Sequence, residues 1–212
     1  GAVIVSAIFF IRHQLADRPT LFTLLFIALF INFFERYRTD GNKKWLFALI
    51  PVQILWANIQ GLFLLGPAIA FCYFLGESLT HFVSLSKPTL FRLEPTGNRC
   101  NSIRHTAITT LILCMVPLIN PNGIDAYSLA LRLFEHILPF NNNAFSMNAA
   151  ENVPPSLLSV NGTGDLLFYQ IFGLFTLLSF LPTKRNLSAG RIILFTIFLF
   201  LSAVAYRNIQ LY

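Results

Sequence analysis

Seven stretches of the chain are almost purely apolar: residues 1–11, 20–34, 45–56, 61–75, 106–119, 166–181 and 192–206. Most of them run for 12 to 16 residues. A helix needs about 20 apolar residues, within a range near 17–25, to cross the hydrocarbon core of a bilayer. Flanking residues can lengthen some of these stretches, but 45–56 is too short to cross alone. The pattern therefore predicts short helices and broken hairpins, which survive in lipid only where they pack on protein or line a wet cavity. The longest polar interruption, 122–165, has its own internal order. Asn120-Pro121-Asn122-Gly123 is a strong turn signal that ends the preceding helix. Ala126, Leu129, Ala130, Leu133, Phe134, Ile137 and Leu138 then recur at helical spacing, with Asp125, Ser128, Arg132 and Glu135 on the opposite face. This predicts an amphipathic helix lying in the membrane interface, stopped by Pro139 and followed by an irregular loop. The expected architecture is all-α. It is a polytopic transmembrane helical bundle forming one domain over residues 1–212, with short or broken helices and one amphipathic interfacial helix in an external loop, 122–165.

Composition points to the same solvent. Hydrophobic residues make up 55 % of the chain, 23 of them Phe, and charged residues 11 %; a typical soluble domain carries about 25 % charged residues. Mean hydropathy is +0.65. No signal-peptide pattern is present, because Gly1-Ala2-Val3-Ile4-Val5 is apolar from the start and lacks a basic n-region. An internal or C-proximal fragment of a longer polytopic protein is the expectation. The net charge of +6 reflects basic loops beside an anionic membrane face rather than a nucleic-acid partner. Eleven of the fifteen basic residues fall in three stretches: Arg36, Arg38, Lys43 and Lys44; Lys87, Arg92, Arg99 and Arg104; Lys184, Arg185 and Arg191. The positive-inside rule places these stretches in the cytoplasm, as expected of a multi-pass membrane protein. Residues 45–79 must then leave and return as a hairpin turning at 57–61, built from two short helices or one bent one. Residues 12–19, 120–165 and Arg207-Asn208 fall outside, together with five of the nine acids, Asp17, Asp125, Glu135, Glu151 and Asp165.

The candidate chemistry collects on that outer side. Asn58 and Gln60 set two amides in an apolar neighbourhood, where an unpaired amide costs roughly 4–8 kcal/mol on the cyclohexane reference. Either they line a cavity or they bond the backbone of their own turn. Amides do not titrate, so neither can serve as a general acid or base. Arg18, before Pro19, is either an interfacial anchor or the partner of an anionic group such as a phosphate. Glu151, held between an alanine pair and two prolines, is either a solvated loop acid or a positioned one. Arg207-Asn208 is either a snorkelling helix end or a further contact to phosphate. Asn161-Gly162-Thr163 fits a glycosylation acceptor, a pattern too short to be specific. The three cysteines have no paired spacing, the four histidines have no metal-ligand spacing, and no metal site is expected. Walker, dinucleotide, HExxH and G-x-S-x-G motifs are absent. No helix reads as carrying several buried charges of the kind a proton-coupled pump needs.

Five segments in order carry a family resemblance: Arg18-Pro19; Trp56-Ala57-Asn58-Ile59-Gln60-Gly61; Asn120-Pro121-Asn122-Gly123 with Tyr127; Glu151-Asn152 with Pro154-Pro155; and Arg207-Asn208-Ile209. Together they span nearly the whole chain. The chain resembles bacterial multi-pass glycosyltransferases of the GT-C type, relatives of the oligosaccharyltransferases, protein mannosyltransferases and lipid A aminoarabinose transferases. It departs from them at Gln60, where that family usually has His, and at Asn122, where it has Tyr. The resemblance implies membrane lipids and a polyprenyl-phosphate-linked sugar donor as partners, with sugar transfer to an acceptor at the outer face. On it, Arg18 and Arg207 would meet donor phosphate, Asn208 would be a further substrate-binding residue, Asn58 and Gln60 would line the cavity, and Glu151 would lie near the acceptor. It also implies a catalytic acid in a first outer loop upstream of Gly1, so the catalytic residue within this chain is unknown. No cofactor is expected here, and any divalent metal would belong to the full-length protein. The alternative is a transporter or flippase of a lipid-linked or polar substrate, for which mid-membrane amides at a broken hairpin would also serve. A third is a non-catalytic membrane scaffold.

Overall fold

In the computed structural model, the described residues are 20–86, 99–137, 174 and 189–204, and they contain helices and no strand. Among the described residues six α-helices are delimited, in chain order α1 (Thr20–Asp40), α2 (Lys44–Ile59), α3 (Leu65–Ser86), α4 (Arg99–Met115), α5 (Ile124–Ile137) and α6 (Ala189–Val204). Two 3-10 turns, Gly61–Leu64 and Val116–Ile119, precede α3 and follow α4. The buried residues recur at helical spacing: Phe26, Ile27, Phe30, Phe34 and Tyr37 on α1, and Leu46, Leu49, Gln53, Trp56 and Ala57 on α2.

Contacts along α1 fix the direction of its neighbours. Near the start of α1, the Thr23 hydroxyl donates to Gln60 Oε1, just beyond the end of α2. Phe26 stacks on Trp56 with ring centroids 5.3 Å apart, and Phe33 on Trp45 at 5.7 Å. At the end of α1, Asp40 accepts the Trp45 indole N–H at 3.1 Å. Helix α2 is therefore antiparallel to α1. Helix α3 is parallel to it, since Phe34 stacks on Tyr73 at 4.6 Å and Arg38 reaches Glu77 at 3.1 Å. The stretch 45–79 is thus two helices running in opposite directions about a break, which resolves the choice between a hairpin and one bent helix. Its first arm has 16 residues and a length of about 24 Å, short of the roughly 30 Å hydrocarbon core. Helix α4 and the 3-10 turn after it run from His105, beside Tyr37, to Asn120, beside Ala57. Helix α6 begins against α3, where a Cβ on Gly76 would lie 2.2 Å from the Gly190 backbone nitrogen. Glycine on both helices permits that approach.

The bundle is apolar outside as well as inside. Phe47 on α2, Leu111 on α4 and Phe82 on α3 are 64 %, 65 % and 69 % exposed. Meanwhile Thr23, Gln53, Thr106, Thr109 and Thr110 are buried. The hydroxyls of Thr106 and Thr110 bond carbonyls of their own helix, at 3.0 and 2.8 Å to Ser102 and Thr106, so α4 tolerates them without outside partners. Gly61–Phe82 and Asn101–Ile119 are long and apolar enough to cross a membrane, whereas Lys44–Ile59 and Ala189–Phe200 are shorter apolar helices.

Three boundaries differ from the hydropathy pattern. Helix α1 continues to Asp40, α3 to Ser86, and α4 begins at Arg99, all within stretches that looked like loops. Hydropathy marks where apolar residues stop, whereas backbone hydrogen bonding continues as long as polar side chains find partners. The turn at 120–123 forms as expected: the Asn122 N–H donates to Asn120 Oδ1 at 2.8 Å, and Gly123 adopts a left-handed φ of 50°. Helix α5 follows and is the most amphipathic of the described helices. It rests on buried Ala126 and Ala130 while Asp125, Ser128, Leu129 and Arg132 face outward.

Candidate functional site

The break between α2 and α3 is a polar knot in an apolar bundle. Its origin is local: Gln60 leaves the helix for extended backbone (φ −150°, ψ 143°), and its N–H still caps the Trp56 carbonyl at 3.0 Å. The 3-10 turn Gly61–Leu64 then redirects the chain into α3. A break of this kind strands carbonyls that the helix itself no longer satisfies, and side chains take over. Gln53 is wholly buried, and its Nε2 donates to the Phe63 carbonyl at 3.0 Å. Asn120, from the turn after α4, donates through Nδ2 to the Ala57 carbonyl at 2.8 Å. Its Oδ1 meanwhile holds the Asn122 N–H, so one amide locks its own turn and the end of α2.

Space at the knot depends on one glycine. A Cβ on Gly66 would lie 2.1 Å from Gln53 Oε1 and 3.0 Å from Phe30. Gln53 Oε1 and the Trp56 indole nitrogen are buried without a hydrogen-bond partner among the described residues. Trp56 itself is held between Phe26 and Phe30, the latter edge-on at 5.6 Å. Tyr127 of α5 closes the knot from below, edge-on to Phe63 at 5.5 Å, with its hydroxyl donating to the Cys114 carbonyl.

The two amides singled out in the sequence behave differently here. Asn58 is exposed, and its Nδ2 bonds the Ile54 carbonyl of its own helix at 2.7 Å. Gln60 is half-buried and reaches across to Thr23 on α1. Arg18, Glu151, Arg207 and Asn208 lie outside the described residues, as do 1–11, the loop beyond 137, most of 166–181 and the Asn161 sequon. Gln53, Thr23 and Asn120 are the knot residues that sequence reasoning did not select. Gln53 had a usable signal, a lone amide within the apolar run 45–56. As a set, these groups offer neutral donors and acceptors. They can bind and orient a polar ligand but cannot move a proton. Among the described residues no group of three or more His, Cys, Asp or Glu is placed to hold a metal ion.

At the opposite end of the bundle is a cluster of half-buried charges shared among α1, α3 and α6. Glu35 on α1 accepts from Tyr73 at 2.9 Å, from Arg191 Nε at 2.9 Å and Nη2, and from Arg38 at 3.3 Å. Arg38 also binds Glu77 of α3 at 3.1 Å. The side chains of Arg38, Glu35 and Glu77 are only 17 %, 22 % and 11 % exposed. Burial raises the Glu35 carboxyl, but the Arg191 hydrogen bonds and the Arg38 and Arg191 charges outweigh it and hold the group below its ordinary value. Two acids and two arginines cancel, and this balance lets the charges sit between helices. The residues are 156 positions apart in the extreme pair, Glu35 and Arg191, so sequence spacing could not assemble them.

The two ends of the bundle therefore differ in chemistry: Arg36, Arg38, Lys43, Lys44, Arg104 and Arg191 lie toward the Asp40 end of α1, and Gln60, Asn58 and Asn120 toward its Thr23 end. Set against known proteins, the chain matches no family model, no curated protein and no solved structure.

Proposed function

We propose that this chain is the membrane-embedded part of a multi-pass inner-membrane glycosyltransferase of the GT-C kind, with its polar knot facing the outer side. The enzyme would move a sugar from a polyprenyl-phosphate donor to an acceptor at that face. One observation carries the reading. Two of the five segments on which the resemblance rests, 56–61 and 120–123 with Tyr127, are joined through the Asn120–Ala57 hydrogen bond, with Tyr127 against Phe63 just beyond the first segment. Their distance in sequence gives no local reason to meet. The knot would orient sugar hydroxyls by neutral hydrogen bonds, while Arg18 and Arg207 would hold donor phosphate by charge-assisted ones and Asn208 would bind substrate beside them. Glu151 would stand near the acceptor, and the acid that activates it would belong to an upstream loop of the full-length protein, as would any divalent metal.

The test uses the full-length protein in proteoliposomes, with a polyprenyl-phosphate hexose as the probe. Donor binding and sugar transfer are expected. Asn120→Ala should weaken binding several-fold, at about 1 kcal/mol per lost hydrogen bond, and Arg18→Ala more strongly. No donor binding by the wild type removes the proposal, and unchanged affinity in Arg18→Ala removes that role. A transporter or flippase is favoured by the discontinuity of α2 and α3 at Gln60. Movement of the lipid-linked sugar across the bilayer without transfer would select it.

A further inference from the structure

A groove between α2 and α4, away from the polar knot, has the chemistry of a lipid site. Leu46, Phe47 and Ile50 form one wall and Ile108, Thr109 and Ile112 the other, with Lys43 and His105 at one end. From His105 to Ile112 the groove follows two helical turns, about 10 Å. Phe47, Ile108 and Ile112 are exposed along it, so it opens sideways to the surroundings of the bundle rather than into the core. Its mouth is basic. Lys43 and Arg104 are exposed there and form no ion pair among the described residues. Arg36 and Lys44 are close by but occupied, lying 4.7 and 4.9 Å from the Trp45 ring centre. Asp40, the nearby acid, is engaged by the Trp45 indole N–H. The His105 ring is fixed by a 3.0 Å hydrogen bond between its Nδ1 and the Tyr37 hydroxyl.

We infer that this groove holds one acyl chain of an anionic phospholipid, with the phosphodiester set against Lys43 and His105 at the basic end of the bundle. The inference rests on the membrane-embedded reading above but not on glycosyl transfer. Charge complementarity chooses the occupant. An acyl chain alone would need no cation at the mouth, and a free phosphate would need no 10 Å of apolar wall. Each basic residue near an anionic leaflet contributes about 1 kcal/mol, so the mouth is enough to prefer anionic over zwitterionic lipid.

The experiment is native mass spectrometry of the full chain in detergent, titrated separately with phosphatidylglycerol and phosphatidylcholine. Wild type should retain the anionic lipid at least about fivefold better, from one cationic contact. Lys43→Glu should abolish that preference. Ile108→Trp, which fills the groove at an exposed position, should lower retention of phosphatidylglycerol. Ile119→Trp, 68 % exposed in the 3-10 turn beyond the other end of α4, should leave it unchanged. Equal retention of the two lipids by wild type overturns the inference, as does an equal loss in Ile119→Trp. Displacement of the lipid by millimolar inorganic phosphate also overturns it, since the site would then be a phosphate site alone. Donor-lipid binding in the same Lys43→Glu protein should be intact, which separates failure of this site from failure of the proposed activity.

Discussion

Replacing Gly76 with alanine tests how α6 is held to the bundle. The added Cβ would sit 2.2 Å from the Gly190 nitrogen and 2.3 Å from its Cα, against backbone that cannot rotate away. Ordinary contact needs about 3.5–4.0 Å between carbon atoms, so α6 must shift by more than an ångström. Overpacking of this kind costs about 1–3 kcal/mol. The shift also stretches the 2.9 Å bond from Arg191 to Glu35, because Arg191 follows Gly190 directly. Arg191 is 44 % exposed, so solvent screening limits its own contribution to about 1 kcal/mol or less. The assay is unfolding of the detergent-solubilised chain by denaturant, followed by loss of helical circular dichroism, in a double-mutant cycle. Gly76→Ala is expected to destabilise by about 1–3 kcal/mol in the wild-type background. It should cost measurably less in Arg191→Ala, since part of its effect is the broken pair. A Gly76→Ala protein as stable as wild type would refute the close crossing. Strictly additive costs would refute the link from that crossing to Glu35.

Glu35 supplies a pH dependence. Its folded-state carboxyl lies below the ordinary 4.5, so its contribution is fully present above that value and is lost as the pH falls through the folded value. Unfolding midpoints should drop in acid below about pH 4.5, and Glu35→Gln should flatten that drop; an identical acid slope in both proteins would remove the assignment. At the knot, Gly66→Ala drives its Cβ against Gln53 Oε1, so Gly66→Ala with Gln53→Ala should cost less than the two changes summed. Equal sums in denaturant unfolding would show that Gln53 is not what Gly66 accommodates. Asn120→Ala removes the donor to the Ala57 carbonyl and should destabilise by about 1–3 kcal/mol, the cost of an unsatisfied buried acceptor. Wild-type hydrogen exchange at residues 56–61 in that variant would contradict the link. Single cysteines at 60, 151 and 208, in a background lacking the native three, should label from outside intact cells, and labelling of cytoplasmic controls in their place would invert the topology.

The sequence by itself determined the elements that depend on neighbours along the chain. Apolar runs specified helices near 20–34, 45–56, 61–75 and 106–119, because a helix can satisfy its own backbone in an apolar solvent. Asn120-Pro121-Asn122-Gly123 specified its turn through short-range bonds and a glycine able to take a positive φ. The basic residues marked the hairpin at 57–61, and the structure turns there. Tertiary structure decided what the polar side chains do. Nothing local to Gln53 reveals that it serves the Phe63 carbonyl, ten residues on and past a reversal of the chain. Nothing local to Glu35 reveals that Tyr73 and Arg191 complete its shell from two other helices. Gly76 and Gly190 are equally silent until two helices cross there. A hydrogen bond or ion pair is satisfied by any partner within about 3 Å, whatever its position in the chain. Hydropathy therefore gives the spacing of the helices, while partner choice waits for their packing.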